Sequence, residues 1–133
     1  MKIKIILYCL ISIVILSSCF RKPCEQVTKE DIVGIYISMN SLNNNKQYLE
    51  AFEDGTLYML YCDEDVIIEE WGAWKQIDGC RVRFNSFRWF NSLPEDTIKS
   101  SAFFDWIDGV LSMGEDSYSF KKVRRKPKLN CTN

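Results

Sequence analysis

Three Asp-Gly pairs, at 54–55, 78–79 and 108–109, constrain this chain more than any other feature. Each stands between runs rich in β-branched and aromatic residues. Asp-Gly supplies the positive φ that tight hairpin turns need, so each pair is expected to join two antiparallel strands. The first lies between Gln47–Glu53 and Thr56–Cys62, the second between Val66–Lys75 and a run from Cys80 to about Phe90, the third between Ser101–Trp106 and Val110–Met113. Gly34–Ser38 precedes them and Ser117–Val123 follows. Polar or turn-forming segments separate the rest: the Asn-rich stretch 40–46, Asp63-Glu64-Asp65, the 91–99 loop with Pro94, and Gly114-Glu115-Asp116. About eight short strands at nearly regular spacing predict an all-β antiparallel meander, closed as a barrel or folded as a sandwich. No run has helical periodicity, although Pro94–Ser100 has room for one turn.

Aromatic residues make up 14% of the chain, and most fall on the expected strands, where such side chains pack best. Alternation along a strand then assigns faces. Tyr118 and Phe120 oppose Ser117, Ser119 and Lys121, as a strand with one wet face requires. In Thr56–Cys62 both faces are apolar, so that strand is expected to be covered on both sides. Strict alternation sends Phe84 and Phe90 to one face and Phe87 and Trp89 to the other, leaving the second pair as a candidate exposed patch.

The N-terminus carries a different kind of information. Lys2 and Lys4 precede the apolar stretch Ile5–Leu16, which has the length of a signal-peptide core and is too short to span a bilayer. Leu16-Ser17-Ser18-Cys19 resembles the lipobox of bacterial lipoproteins. That resemblance implies cleavage before Cys19, lipid (palmitate-type acyl chains) on Cys19, and a tether to the cell envelope. Two or more chains hold a protein stably at a membrane where one holds it marginally. Phe20 stands where an inner-membrane retention signal would place aspartate, which favours the outer membrane. The expected organisation is a signal peptide at 1–18, a lipid-anchored spacer at 19–30, a β domain at 31–124 and a basic tail at 125–133.

Removal of residues 1–18 leaves 115 residues, with 15 basic and 18 acidic side chains. Such a size suits one domain with a real core. A mildly acidic exported protein is a poor nucleic-acid binder, because that binding begins with phosphate neutralisation. Four cysteines remain beyond Cys19: Cys24, Cys62, Cys80 and Cys131. Their even number in a small exported domain reads as disulfides, and no close Cys-x2-Cys pair suggests a metal site. In a meander Cys62 and Cys80 lie at opposite ends of the sheet, so Cys24–Cys80 with Cys62–Cys131 is the preferred pairing of three.

Gly34-x-Tyr36, Asp54-Gly55-Thr56-x-Tyr58 and Gly72-x-Trp74 together resemble small bacterial lipocalin-like lipoproteins. The family opens on Gly-x-Trp, whose tryptophan closes the barrel floor against a basic residue beside the last strand. Tyr36 stands in its place here, and Lys122, Arg124 or Arg125 is the implied partner. The resemblance covers roughly residues 31–124 and implies an eight-stranded, closed or partly open barrel. Such a barrel is either filled by side chains or holds one small ligand. The abundance of large aromatics tilts toward a filled interior.

The chain has no histidine, which excludes Ser-His-Asp and Cys-His chemistry. Asp63, Glu64, Asp65, Glu69 and Glu70 sit in or beside an expected turn, where solvated charge is ordinary. No enzymatic activity, cofactor or metal is expected. Two functions remain. The first is binding of a small apolar or amphipathic ligand, with Tyr58, Trp71, Trp74, Phe104 and Trp106 as candidate lining. The second is interaction with an envelope protein, as an inhibitor, immunity-type factor or assembly accessory. Its expected contacts are the Phe87/Trp89 patch or the basic run Lys121, Lys122, Arg124, Arg125, Lys126 and Lys128.

Overall fold

In a computed structural model, residues 22–39, 46–64, 66–88, 99–114 and 118–129 are described. Eight strands follow one another: β1 Gly34–Ser38, β2 Gln47–Ala51, β3 Thr56–Asp63, β4 Val66–Asp78, β5 Arg81–Arg88, β6 Lys99–Ile107, β7 Val110–Ser112 and β8 Ser119–Val123. Each pairs antiparallel with the next, and β8 returns to β1, so the meander closes into a barrel. The closing seam pairs Ile35 with Val123, Tyr36 with Lys122 and Ser38 with Phe120. Among the described strands, closure leaves no free sheet edge for another chain to extend.

All three Asp-Gly pairs lie at one end of this barrel, hereafter the floor. They do not form three identical turns. Asp108 and Gly109 both have positive φ, of 49° and 84°, as the expected mirror-image hairpin requires. At the first pair Gly55 alone is left-handed, and the Asp54 carboxylate accepts the Thr56 amide proton at 2.8 Å. A four-residue loop, 52–55, replaces the two-residue one, so β2 stops at Ala51. β4 is longer than expected, since Gln76 pairs with Val82 and the strand runs on through an irregularity to Asp78. Glu69 and Glu70 lie within β4, on the expected run Val66–Lys75.

The spacer is also structured. A 3-10 turn at Cys24–Gln26 and a short helix α1 at Lys29–Ile32 cross the floor, each too short to leave a periodic signature. Thr28 and Asp31 form a capping box at the start of α1. Val27 and Ile32 are buried, and Gln76 Nε2 donates to the Val27 carbonyl at 2.9 Å. Cys24 is bonded to Cys80 with Cα atoms 4.8 Å apart, as expected from the meander. Cys62 is disulfide-bonded as well; its expected partner Cys131 lies outside the described residues, as does Cys19.

The interior is filled by side chains. Leu49, Leu57, Met59, Val82, Phe84, Phe87, Ala102, Phe104, Leu111 and Phe120 are all fully buried in one core. Phe104 lies 5.1 Å from Phe84, 5.3 Å from Phe87 and 5.9 Å from Phe120, centroid to centroid. These separations and the tilted or edge-on planes are those that aromatic quadrupoles prefer. Burying each such ring contributes roughly 1.5–3 kcal/mol.

Phe87 corrects the strict alternation. Phe84 pairs with Ala102 while Phe87 pairs with Ser100, so β5 carries one residue more than β6 between those pairs. This is a β-bulge, and Ser86 takes a φ of 58° within it. The extra residue turns Phe87 inward, 6.0 Å from Phe84, instead of leaving it on an outer patch. Trp89 and Phe90 lie outside the described residues.

Candidate functional site

At the floor, Tyr36 is fully buried. Its hydroxyl donates to the Ile32 carbonyl and accepts from Trp106 Nε1 at 3.1 Å. Burial makes this hydroxyl harder to ionise, pushing it above the ordinary phenol range. Of the three basic residues implied by the resemblance, Lys122 is the one that meets it. Its ammonium lies 6.0 Å from the Tyr36 ring centre and donates to the Asp31 carbonyl at 2.6 Å. Burial pushes the Lys122 ammonium below its usual range, with nearby Asp31 opposing.

Gly34 is required by this arrangement. Its φ is 146°, and a Cβ there would lie 2.6 Å from Lys122 Cε. Trp74 completes the floor, buried, with Nε1 donating to the Phe52 carbonyl at 2.8 Å. Trp74 and Trp106 therefore close the barrel, and Phe87 and Phe104 fill it. A groove of about 780 Å³ outside the floor, between Cys24, Gln76, Arg81 and Asp105, is open and largely polar.

Tyr58 and Trp71 belong to a separate place, the outer face of β2, β3 and β4. With Leu49, Ala51, Leu57 and Met59 facing in, alternation turns Tyr48, Glu50 and Tyr58 outward. The pairing register then lines up Glu50, Tyr58 and Trp71 as one row across the three strands. Glu69 stands in the adjacent row, opposite Leu60. Tyr58 sits 4.7 Å from Trp71 and 5.8 Å from Tyr48, and Phe52 stacks on Trp71 at 6.2 Å with a 19° tilt. Trp71 is 61% exposed, the most exposed large apolar side chain among the described residues.

These rings border a cleft of about 260 Å³ that also holds Glu50, Glu69 and Lys126. The Tyr58 hydroxyl donates to Glu69 Oε1 at 2.8 Å. Burial and this carboxylate push the Tyr58 hydroxyl well above its usual range. Lys126, from the segment after β8, places its ammonium 2.9 Å from Glu50 Oε2. That carboxylate holds the Lys126 proton more firmly than water would.

The candidate residues thus divide in two: Trp74, Phe87, Phe104 and Trp106 inside or under the barrel, Tyr58 and Trp71 outside it. Tyr48, Glu50 and Phe52 were not singled out from the sequence, and Glu69 was named only as an ordinary solvated charge beside a turn. Their signal was the register of the first hairpin, which a four-residue loop in place of two displaced. Among the described residues no three His, Cys, Asp or Glu side chains gather as metal ligands. Comparison with protein-family models, with curated proteins and with solved structures returns no match.

Proposed function

We propose that this chain is a lipid-anchored, lipocalin-like lipoprotein of the bacterial envelope that acts without catalysis, binding a partner protein through the outer face of β2–β4. The lipobox-like run at Cys19 supports the anchor, and Phe20 in place of a retention aspartate supports the outer membrane. The closed eight-stranded barrel is compatible with a lipocalin-like fold. One observation carries the choice of function. Phe84, Phe87, Phe104 and Phe120 fill the barrel axis at zero exposure, while Trp71 stands 61% exposed outside it. Large exposed aromatic patches rimmed by polar groups mark interaction surfaces.

Native mass spectrometry of the mature chain from an oxidising compartment tests this choice. A protein that works through its outer face gives a clean apo mass, lower than the reduced chain by about 4 Da for two disulfides. A stoichiometric small molecule would contradict it.

Such a molecule would fit a second reading, binding of a small amphipathic ligand at the barrel end opposite the floor. Gln47 favours it: the residue is fully buried, and neither its amide oxygen nor its nitrogen has a hydrogen-bond partner. A buried amide left open is costly and calls for a water or a ligand group.

A further inference from the structure

We infer that the outer cleft is a receptor for a lysine side chain of a partner protein, and that Lys126 is its intramolecular occupant. This rests on the outer face being the working surface and gives that face its chemistry. Lys126 belongs to no strand, yet its ammonium lies 2.9 Å from Glu50 Oε2. The Glu50 side chain is only 16% exposed, so the cleft offers a largely buried carboxylate to a cation.

The walls suit the rest of a lysine. Tyr48, Tyr58 and Trp71 border the cleft with ring surfaces. An aliphatic stem packs on such rings while the ammonium is drawn to their negative faces. Glu69 supplies a second carboxylate, which keeps acceptor capacity after accepting the Tyr58 hydrogen bond. Two carboxylates against one ammonium leave the cleft net negative, a poor host for an anion and a good one for an organic cation.

The resident is held loosely. The Lys126 side chain is 60% exposed, fixed at its charged end by a single ion pair. An ion pair whose cation stays in water is worth little. A lysine presented by a partner and supported by contacts to Trp71 and Phe52 therefore competes successfully for Glu50. The tail acts as a weak stopper on the site.

The test uses the full-length protein in mild detergent, labelled with nitrogen-15, titrated with Nα-acetyl-lysine amide and with its uncharged norleucine analogue. The lysine compound is expected to shift the Trp71 indole and the Glu50 and Tyr58 amide signals saturably, and the norleucine compound is not. Lys126→Ala, which empties the cleft, should tighten the apparent affinity about three- to fivefold, the share of molecules that the tail blocks. Glu50→Gln in that background should weaken it about tenfold with the rest of the spectrum unchanged, which shows that the barrel is intact. Equal shifts from both compounds, or none in Lys126→Ala, would overturn the inference. Neither result touches the outer-face reading, which is judged by cross-linking and mass spectrometry with no lysine probe.

Discussion

The rings inside the barrel and the rings on β2–β4 come from the same few residue types and do opposite things. Inside, Phe84, Phe87, Phe104 and Phe120 meet one another at 5–6 Å, with no polar atom among them. Outside, Tyr48, Tyr58 and Trp71 keep similar ring spacings but share their surface with Glu50, Glu69 and Lys126. The first set holds the fold together because nothing else fits between its members. The second set combines a buried ring, Tyr48, with an exposed one, Trp71, and brings two carboxylates among them. Aromatic content alone therefore does not locate function; the polar company of the rings does.

Substitutions can break this contrast at its strong end. Phe104→Ala removes the ring that touches three others and should cost about 3–5 kcal/mol in urea unfolding. Replacing Cys24 and Cys80 together by serine frees the floor segment from β5 and should cost about 2–4 kcal/mol, read the same way. Tyr36→Phe is smaller. It leaves the buried Trp106 N–H without its acceptor and the Ile32 carbonyl without its donor, for about 1–3 kcal/mol.

Acid should loosen the floor before the core. Hydrogen bonds from Lys22 and from the Thr28 amide hold the Asp31 carboxyl at about 2, below its ordinary 3.8. A group depressed in the folded state stabilises above its unfolded value and loses that contribution as pH falls through the folded one. The loss therefore runs between about pH 4 and 2, and Asp31→Asn should flatten this limb of the stability profile. At the weak end of the contrast, Trp71→Ala should change stability by no more than about 0.5 kcal/mol. A larger loss would mean that the outer rings are structural after all.

Much of the fold was legible because its signals are local. Each Asp-Gly pair marks a hairpin at the floor, and the closed meander follows from eight strands spaced by such turns. The Cys24–Cys80 bond was legible for the same reason, since strand direction alone places Cys80 at the end where the chain enters. The bulge at Ser86 was not. One added residue reverses the phase of everything after it, and Phe84-Asn85-Ser86-Phe87 reads equally well as plain alternation. The helical turns of the spacer are three and four residues long, shorter than the period that would reveal them. The outer cleft was half legible. Tyr58 and Trp71 stood out as large aromatics, but Glu69 read as an ordinary solvated charge. Lys126 comes from a segment with no regular pattern and finds Glu50 only through the closed fold.

Cross-linking in the intact envelope tests the central claim most directly. A photoreactive phenylalanine analogue placed at Ala73, exposed beside Trp71 on β4, is compared with one at Ile107, exposed at the floor end of β6. Working contact through the outer face predicts a discrete protein adduct from position 73 that Trp71→Ala abolishes, and none from position 107. Adducts that survive Trp71→Ala, or that form equally from both positions, would contradict it.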